Sequence, residues 1–307
     1  MIRYKGHYRE GMYDGKGIRF NVKSDIVCQG YYKEGKLVDV VIDDCQKTMN
    51  YYIKDYGTAL YCGQMKSGQR EGQGIEYDKL GNKRYFGQWK NSKKHGDKGE
   101  AYHENGNLSY CGGWKKGQRE GKGIGYDETG IQRYVGDWKN GRREGVGVEY
   151  YEDGKGKLYE GTYKYSKREG FGLWYDRKGF KIYEGENSNG KFHGRGIGFF
   201  ENGKKSYEGE YINGAKEGYG IEYDENGTKI YEGNFWGSER DGEGTCYDEY
   251  ETKCYTGTWK KGFREGKGIE WDEIGKNKVY QGDWFQNARE GFGIGYDENE
   301  SKRYEGY

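Results

Sequence analysis

Ring, glycine and polar residues alternate along this chain with a period of two. In Tyr255-Thr256-Gly257-Thr258-Trp259-Lys260 the first, third and fifth residues are a ring, a glycine and a second ring, while the residues between are polar. Such alternation marks a β-strand with two unlike faces. The segment Lys261 to Gly266 reads as a turn, and a second strand follows with Ile269 and Trp271 on one face and Gly268 and Glu270 on the other. The run Asp224-Glu225-Asn226-Gly227 has the residues of a turn between one such pair and the next. The pattern predicts hairpins that each present an aromatic face and a polar face.

The hairpin recurs. Units open at Tyr4, Cys28, Tyr61, Tyr85, Tyr110, Tyr134, Tyr159, Tyr183, Tyr207, Tyr231, Tyr255, Tyr280 and Tyr304, with steps of 24 or 25 residues and one step of 33. Numbering each unit from its opening residue, position 3 is glycine in every unit, position 5 is usually aromatic, and positions 12 and 14 are usually glycine. A fixed period of this length decides the architecture before any other feature does. Four large side chains contribute roughly 1.5 to 3 kcal/mol each when buried. Ordering some 24 residues of backbone opposes them with about 1 to 2 kcal/mol per residue. A single unit therefore cannot hold its fold, and stability must come from leaning on neighbours.

The pattern Tyr-x-Gly-x-aromatic, followed by Gly-x-Gly-aliphatic-x-aromatic, resembles the MORN (membrane occupation and recognition nexus) repeat over nearly the whole chain. The expected fold is all-β: an elongated single-layer antiparallel β-meander or solenoid of tandem hairpins. It forms one array over residues 1–307 with about twelve repeats, an irregular second repeat with an insertion at 38–60, and an incomplete thirteenth unit at 304–307. The resemblance implies a scaffold or adaptor of cytoskeletal or ciliary assemblies, cytoplasmic, at the cilium or basal body. It also leaves open a phosphoinositide- or membrane-associated tether, and a regulatory subunit of an enzyme carried on another chain.

Composition fits this reading. Glycines number 58 and prolines none, so reversals rest on glycine and asparagine, and no N–H is missing from a sheet ladder. The 52 basic and 51 acidic residues nearly cancel, which argues against a nucleic-acid partner and disfavours anionic lipid. No stretch approaches the roughly 20 apolar residues of a spanning helix. The six cysteines do not resemble the disulfide framework of a small secreted domain and read as reduced thiols.

Candidate chemistry is sparse. Gly262-Phe263-Arg264-Glu265-Gly266-Lys267-Gly268 imitates a phosphate loop, but its glycine spacing is one short and glycine stands where the Ser or Thr belongs. The run Asp224-Glu225-Asn226-Gly227 lacks the spacing of a calcium loop, and the four histidines are scattered, so no metal, cofactor or catalytic residue is expected. The basic–acidic pairs at positions 10 and 11, such as Arg264-Glu265 and Arg289-Glu290, read as solvated rows along one edge. The partner site is expected on the aromatic face, as a groove lined by Trp89, Trp114, Trp138, Tyr163, Tyr211, Phe235, Trp259 and Trp284 that takes an amphipathic helix or extended peptide. The unit with Asn187, His193 and Arg195 interrupts that row and is a second candidate. The apolar run Val38, Val40, Val41 and Ile42 suggests a docking loop, and the terminal half-unit offers an edge strand for end-to-end self-association.

Overall fold

A computed structural model describes the backbone of residues 4–20, 26–33, 36–40, 52–55, 59–78 and 82–307, and side chains for residues 4, 6–15, 61–78 and 82–307. The expected docking loop falls largely at 41–51, outside the described residues. All regular structure among the described residues is β-strand. The chain divides into two compact units, Met1–Lys155 and Gly156–Tyr307.

The first unit holds a small antiparallel sheet of Tyr4–Arg9, Met12–Phe20, Ile26–Lys33 and Lys36–Val40, and a longer one running from Tyr52–Asp55 to Arg142–Tyr150. The second unit is one antiparallel sheet running from Lys157–Lys164 to Lys302–Gly306. Every described ladder joins strands adjacent in sequence, as in Tyr159 to Trp174, Trp174 to Tyr183 and Gly295 to Tyr304, so each sheet is an open meander with two end strands.

Register decides what each face carries. In the hairpin of Lys253–Lys260 and Phe263–Trp271, Tyr255 stands opposite Glu270, Gly257 opposite Gly268 and Trp259 opposite Arg264. Residues directly opposite share a face. Gly268 and Glu270 therefore lie on the ring face, which we call inner, while Ile269 and Trp271 lie on the outer face beside Thr256. The expected division into an aromatic and a polar face is corrected: the inner face carries charge and the outer face carries aliphatic and aromatic side chains.

The two glycines of the Gly-x-Gly pair answer to different needs. Gly266 has φ of 70°, which bends the chain out of the turn in a conformation that side chains resist. Gly268 is extended and instead makes room, because a Cβ there would fall inside the Tyr255 ring, which lies flat across Gly257 and Gly268 together. The Tyr255 hydroxyl reaches past both glycines and donates to the Thr258 carbonyl at 3.1 Å. The same bond recurs from Tyr61 to Gln64, Tyr134 to Asp137 and Tyr207 to Glu210. From Tyr61 to Tyr255 these position 1 rings are wholly buried.

Cysteines depart from expectation at one pair: Cys246 and Cys254 are joined by a disulfide. The register sets Cys246 opposite Tyr255, beside Cys254, a proximity that the repeat spacing alone does not reveal.

Candidate partner-binding surface

The position 5 rings expected to line a groove are core. Trp89, Trp114, Trp138, Tyr163, Tyr211, Phe235, Trp259 and Trp284 are 3 to 8% exposed. Each indole that occupies this position also ties one repeat to the one before. Trp259 Nε1 donates to the Gly244 carbonyl at 3.2 Å, and its ring meets Tyr231 and Tyr255 edge-on at centroid distances of 5.3 and 5.4 Å. Trp89, Trp114, Trp138 and Trp284 make the equivalent bonds. Among the described residues these rings therefore form no aromatic trough open to a ligand: they pack between repeats.

The position 10 bases close that face. Arg264 lies over Tyr255 and Trp284 at 4.9 and 5.4 Å, and Arg119 lies over Tyr110 and Trp138 at 4.9 Å from each. Burial disfavours the charged form of Arg119 and lowers its pKa. Where position 16 is a glutamate, it bridges these cations: Glu222 meets Lys216 and Arg240, each at 2.7 Å. Burial works to raise the Glu222 pKa, but the bonds from Lys216 and Arg240 outweigh it and hold the group below the usual carboxylate range.

Position 11 does not form the solvated row expected of it. The Glu265 carboxylate accepts the N–H of Gln286 in the next repeat's turn at 3.2 Å, and Glu71, Glu120, Glu169 and Glu217 accept the corresponding N–H at 3.0 Å. Sequence reasoning missed this role, although an acid at one fixed position beside a glycine turn was its signal.

The interrupted repeat separates into unrelated parts. Asn187 is 3% exposed and fully engaged: it accepts from Trp174 Nε1 at 2.7 Å and donates to the Gly170 and Gly185 carbonyls at 3.2 and 3.1 Å. Trp174, at position 16, supplies the missing ring, and Phe192, at position 10, stacks on Tyr183 with centroids 3.8 Å apart. Asn187 is thus a packing residue. His193 takes the place of the turn-bonding glutamate, and its half-buried ring has an unpaired Nδ1. Arg195 stands apart on the outer face. The three residues do not converge.

Open concavities lie on that outer face. In the second unit, one groove is lined by Phe171, Ile197, Tyr219 and Ile221 and rimmed by Glu184, Glu208 and Arg195. Another carries Ile269, Phe292 and Ile294 with Lys267 and Glu243. In the first unit the equivalent surface is almost wholly apolar, with Cys111, Ile124, Val135, Val146 and Val148. Its floor is the backbone of the paired glycines, which carry no side chain to fill it. Tyr219, 54% exposed, donates its hydroxyl to Glu232, and that bond together with burial pushes its pKa up to about 12.

The imitation phosphate loop is a hairpin turn running into the strand Phe263–Trp271, with no helix N-terminus to meet an anion. The Asp224 carboxylate accepts the N–H groups of Asn226 and Thr228 at 2.9 and 2.8 Å, which makes it the pivot of a turn. Among the described residues no three His, Cys, Asp or Glu side chains come together as a metal site.

Comparison with known protein families matches the MORN repeat over residues 4–20, 61–79, 85–96, 110–124, 134–156, 159–179, 183–205, 207–229, 231–249, 255–275 and 280–294. The irregular second repeat is not among the matched segments. A comparison with curated proteins found no match. The eleven matched segments cover more than half of the chain, and from Tyr61 onward the hairpins they mark are those whose tyrosines lie on paired glycines. On this ground the chain belongs to the MORN-repeat family, whose repeats are non-catalytic modules for protein and membrane interaction.

Proposed function

We propose that this chain is a non-catalytic adaptor that binds an extended or helical protein segment along its outer face, within a cytoplasmic cytoskeletal assembly such as a cilium or basal body. The observation that carries the reading is the groove of Phe171, Ile197, Tyr219 and Ile221, apolar at its centre and charged at its rim, on a face that the fold does not use for its own packing. Exposed apolar surface rimmed by polar groups is the usual mark of a protein interface. The inner face, with its rings already covered by Arg and Lys, offers far less.

Affinity recovery from cell extract followed by mass spectrometry tests the proposal. The double variant Phe171→Ser, Tyr219→Ser is expected to reduce the recovered partner at least about tenfold, a loss of about 1.4 kcal/mol or more. Lys260→Ala, on an exposed turn-edge position, serves as the control. Equal recovery by a folded double variant overturns the outer-face site. Strong sedimentation with phosphoinositide vesicles, unaffected by that variant, favours a membrane tether instead.

A further inference from the structure

Cys246 occupies position 16, where the neighbouring repeats carry Glu222 and Glu270. Those carboxylates are gripped by bases of position 10: Glu222 by Lys216 and Arg240, and Glu270 by Arg289, whose Nε stands 2.8 Å away. The same surroundings meet a sulfur at Cys246. Arg264 Nη2 lies 3.8 Å from Cys246 Sγ, and Arg240, Arg264 and Gly262 line a surface depression together with both Cys246 and Cys254. A neutral thiol leaves this cationic setting without its anion, whereas a thiolate restores it. Cysteines next to guanidinium groups have lowered pKa values for this reason. The Cα atoms of Cys246 and Cys254 are 5.8 Å apart, within the range of roughly 4.4 to 6.8 Å that a disulfide spans without backbone movement.

We propose that Cys246 and Cys254 are a reversible redox pair in which Cys246 is the reacting thiolate and Cys254 resolves it, and that the oxidant is a hydroperoxide. The thiolate attacks the peroxide O–O bond; an S–O bond forms, the O–O bond breaks, and the alkoxide leaves and takes a proton from water. The Cys254 sulfur then attacks the sulfenic sulfur. The S–S bond forms, the S–O bond breaks, and water leaves with the Cys254 proton. Two thiols lose two electrons, and one hydroperoxide becomes an alcohol and water. Two equivalents of reduced glutathione return the pair to thiols. Oxidation removes the negative charge facing Arg264 and stitches two consecutive repeats, since Cys246 ends one hairpin and Cys254 opens the next.

The test uses the full chain, reduced and then treated with one equivalent of hydrogen peroxide before alkylation and peptide mapping. A peptide linked through Cys246 and Cys254 is expected, with Cys62 and Cys111 still alkylated, and reduced glutathione is expected to reverse the link. In Cys254→Ser at pH 6.5, iodoacetamide is expected to modify Cys246 about tenfold faster than Cys111. Arg264→Gln is expected to erase that advantage and Arg264→Lys to keep it. A Cys246 no faster than Cys111 overturns the proposal, as does indiscriminate oxidation of the other cysteines. A link that survives reduced glutathione makes the pair a fixed staple and overturns it as well.

Discussion

The repeat that opens at Tyr255 and the one that opens at Tyr183 build the same hairpin from different parts. In the first, Trp259 fills the space between strands and bonds back to Gly244. In the second, Asn187 stands at that position and the volume is filled from elsewhere, by Trp174 of the preceding strand and by Phe192 in place of a base. Trp174 meets Tyr159 edge-on at 5.3 Å, much as Trp259 meets Tyr231. The fold therefore demands a ring between successive tyrosines, not a ring at a particular residue. A polar side chain is tolerated in the core because all its hydrogen-bonding groups are matched.

Alkali strikes both repeats alike and is expected to have the largest effect. Burial raises the pKa of Tyr183, and it pushes Tyr255 up to about 12 even though Arg264 works in the opposite direction. A tyrosine in the unfolded chain ionises near 10. The folded state thus favours the neutral ring, so stability is fully present below about pH 10 and is lost as pH rises through the folded values. Circular dichroism followed from pH 9 to 12.5 checks this; unchanged spectra at the upper end contradict it.

Single substitutions then separate the two repeats. Trp259→Ala is expected to cost about 3 to 5 kcal/mol, the usual loss for a buried indole. Asn187→Ala is expected to cost about 1 to 3 kcal/mol, because it removes no ring and leaves Trp174 Nε1 without its acceptor. Denaturant midpoints of the second unit's unfolding compare them, and equal losses break the distinction drawn above.

Restoring the regular ring in the wrong context is the sharper probe. Asn187→Trp alone is expected to overpack against Trp174 and destabilise by about 1 to 3 kcal/mol. Adding Trp174→Glu returns the regular arrangement and is expected to recover most of that loss, a coupling that a double-mutant cycle measures. The smallest effect is a gain. His193→Glu restores a carboxylate at position 11 and is expected to stabilise by up to about 1 kcal/mol. Slowed amide exchange at Asn213, the turn residue equivalent to Gln286, reads it out.

Much of this architecture is legible in the sequence because glycine and tyrosine recur at positions where nothing else fits. Gly257 and Gly268 announce a ring lying on the backbone, and the constant step announces neighbours that share the work. The faces were harder to read. Alternation tells which residues of one strand go together, but only the pairing of Gly257 with Gly268 fixes which face of the second strand joins the rings. That one-residue ambiguity sent Ile269 to the wrong side and left the outer groove unseen. The same ambiguity hides the cover over the tryptophan row, because alternation alone does not place the position 10 arginines on the ring face. The partnership of Asn187 with Trp174 lies 13 residues apart and crosses two repeats, so position-by-position alignment shows a gap where the fold has an exchange.

Position 2 lies within a strand and outside the layer of buried position 1 and position 5 rings, and the two units use it differently. It reads Cys62, Phe86, Cys111 and Val135 over four consecutive repeats of the first, then Glu160, Glu184, Glu208 and Glu232 over the first four repeats of the second, where each of these glutamates is matched by a lysine three residues earlier. Because those side chains project from the glycine-floored side, they can be rewritten without disturbing the buried tyrosines of position 1. One scaffold thereby carries two independent inscriptions, one oily and one ionic, and a change of recognition needs no change of architecture.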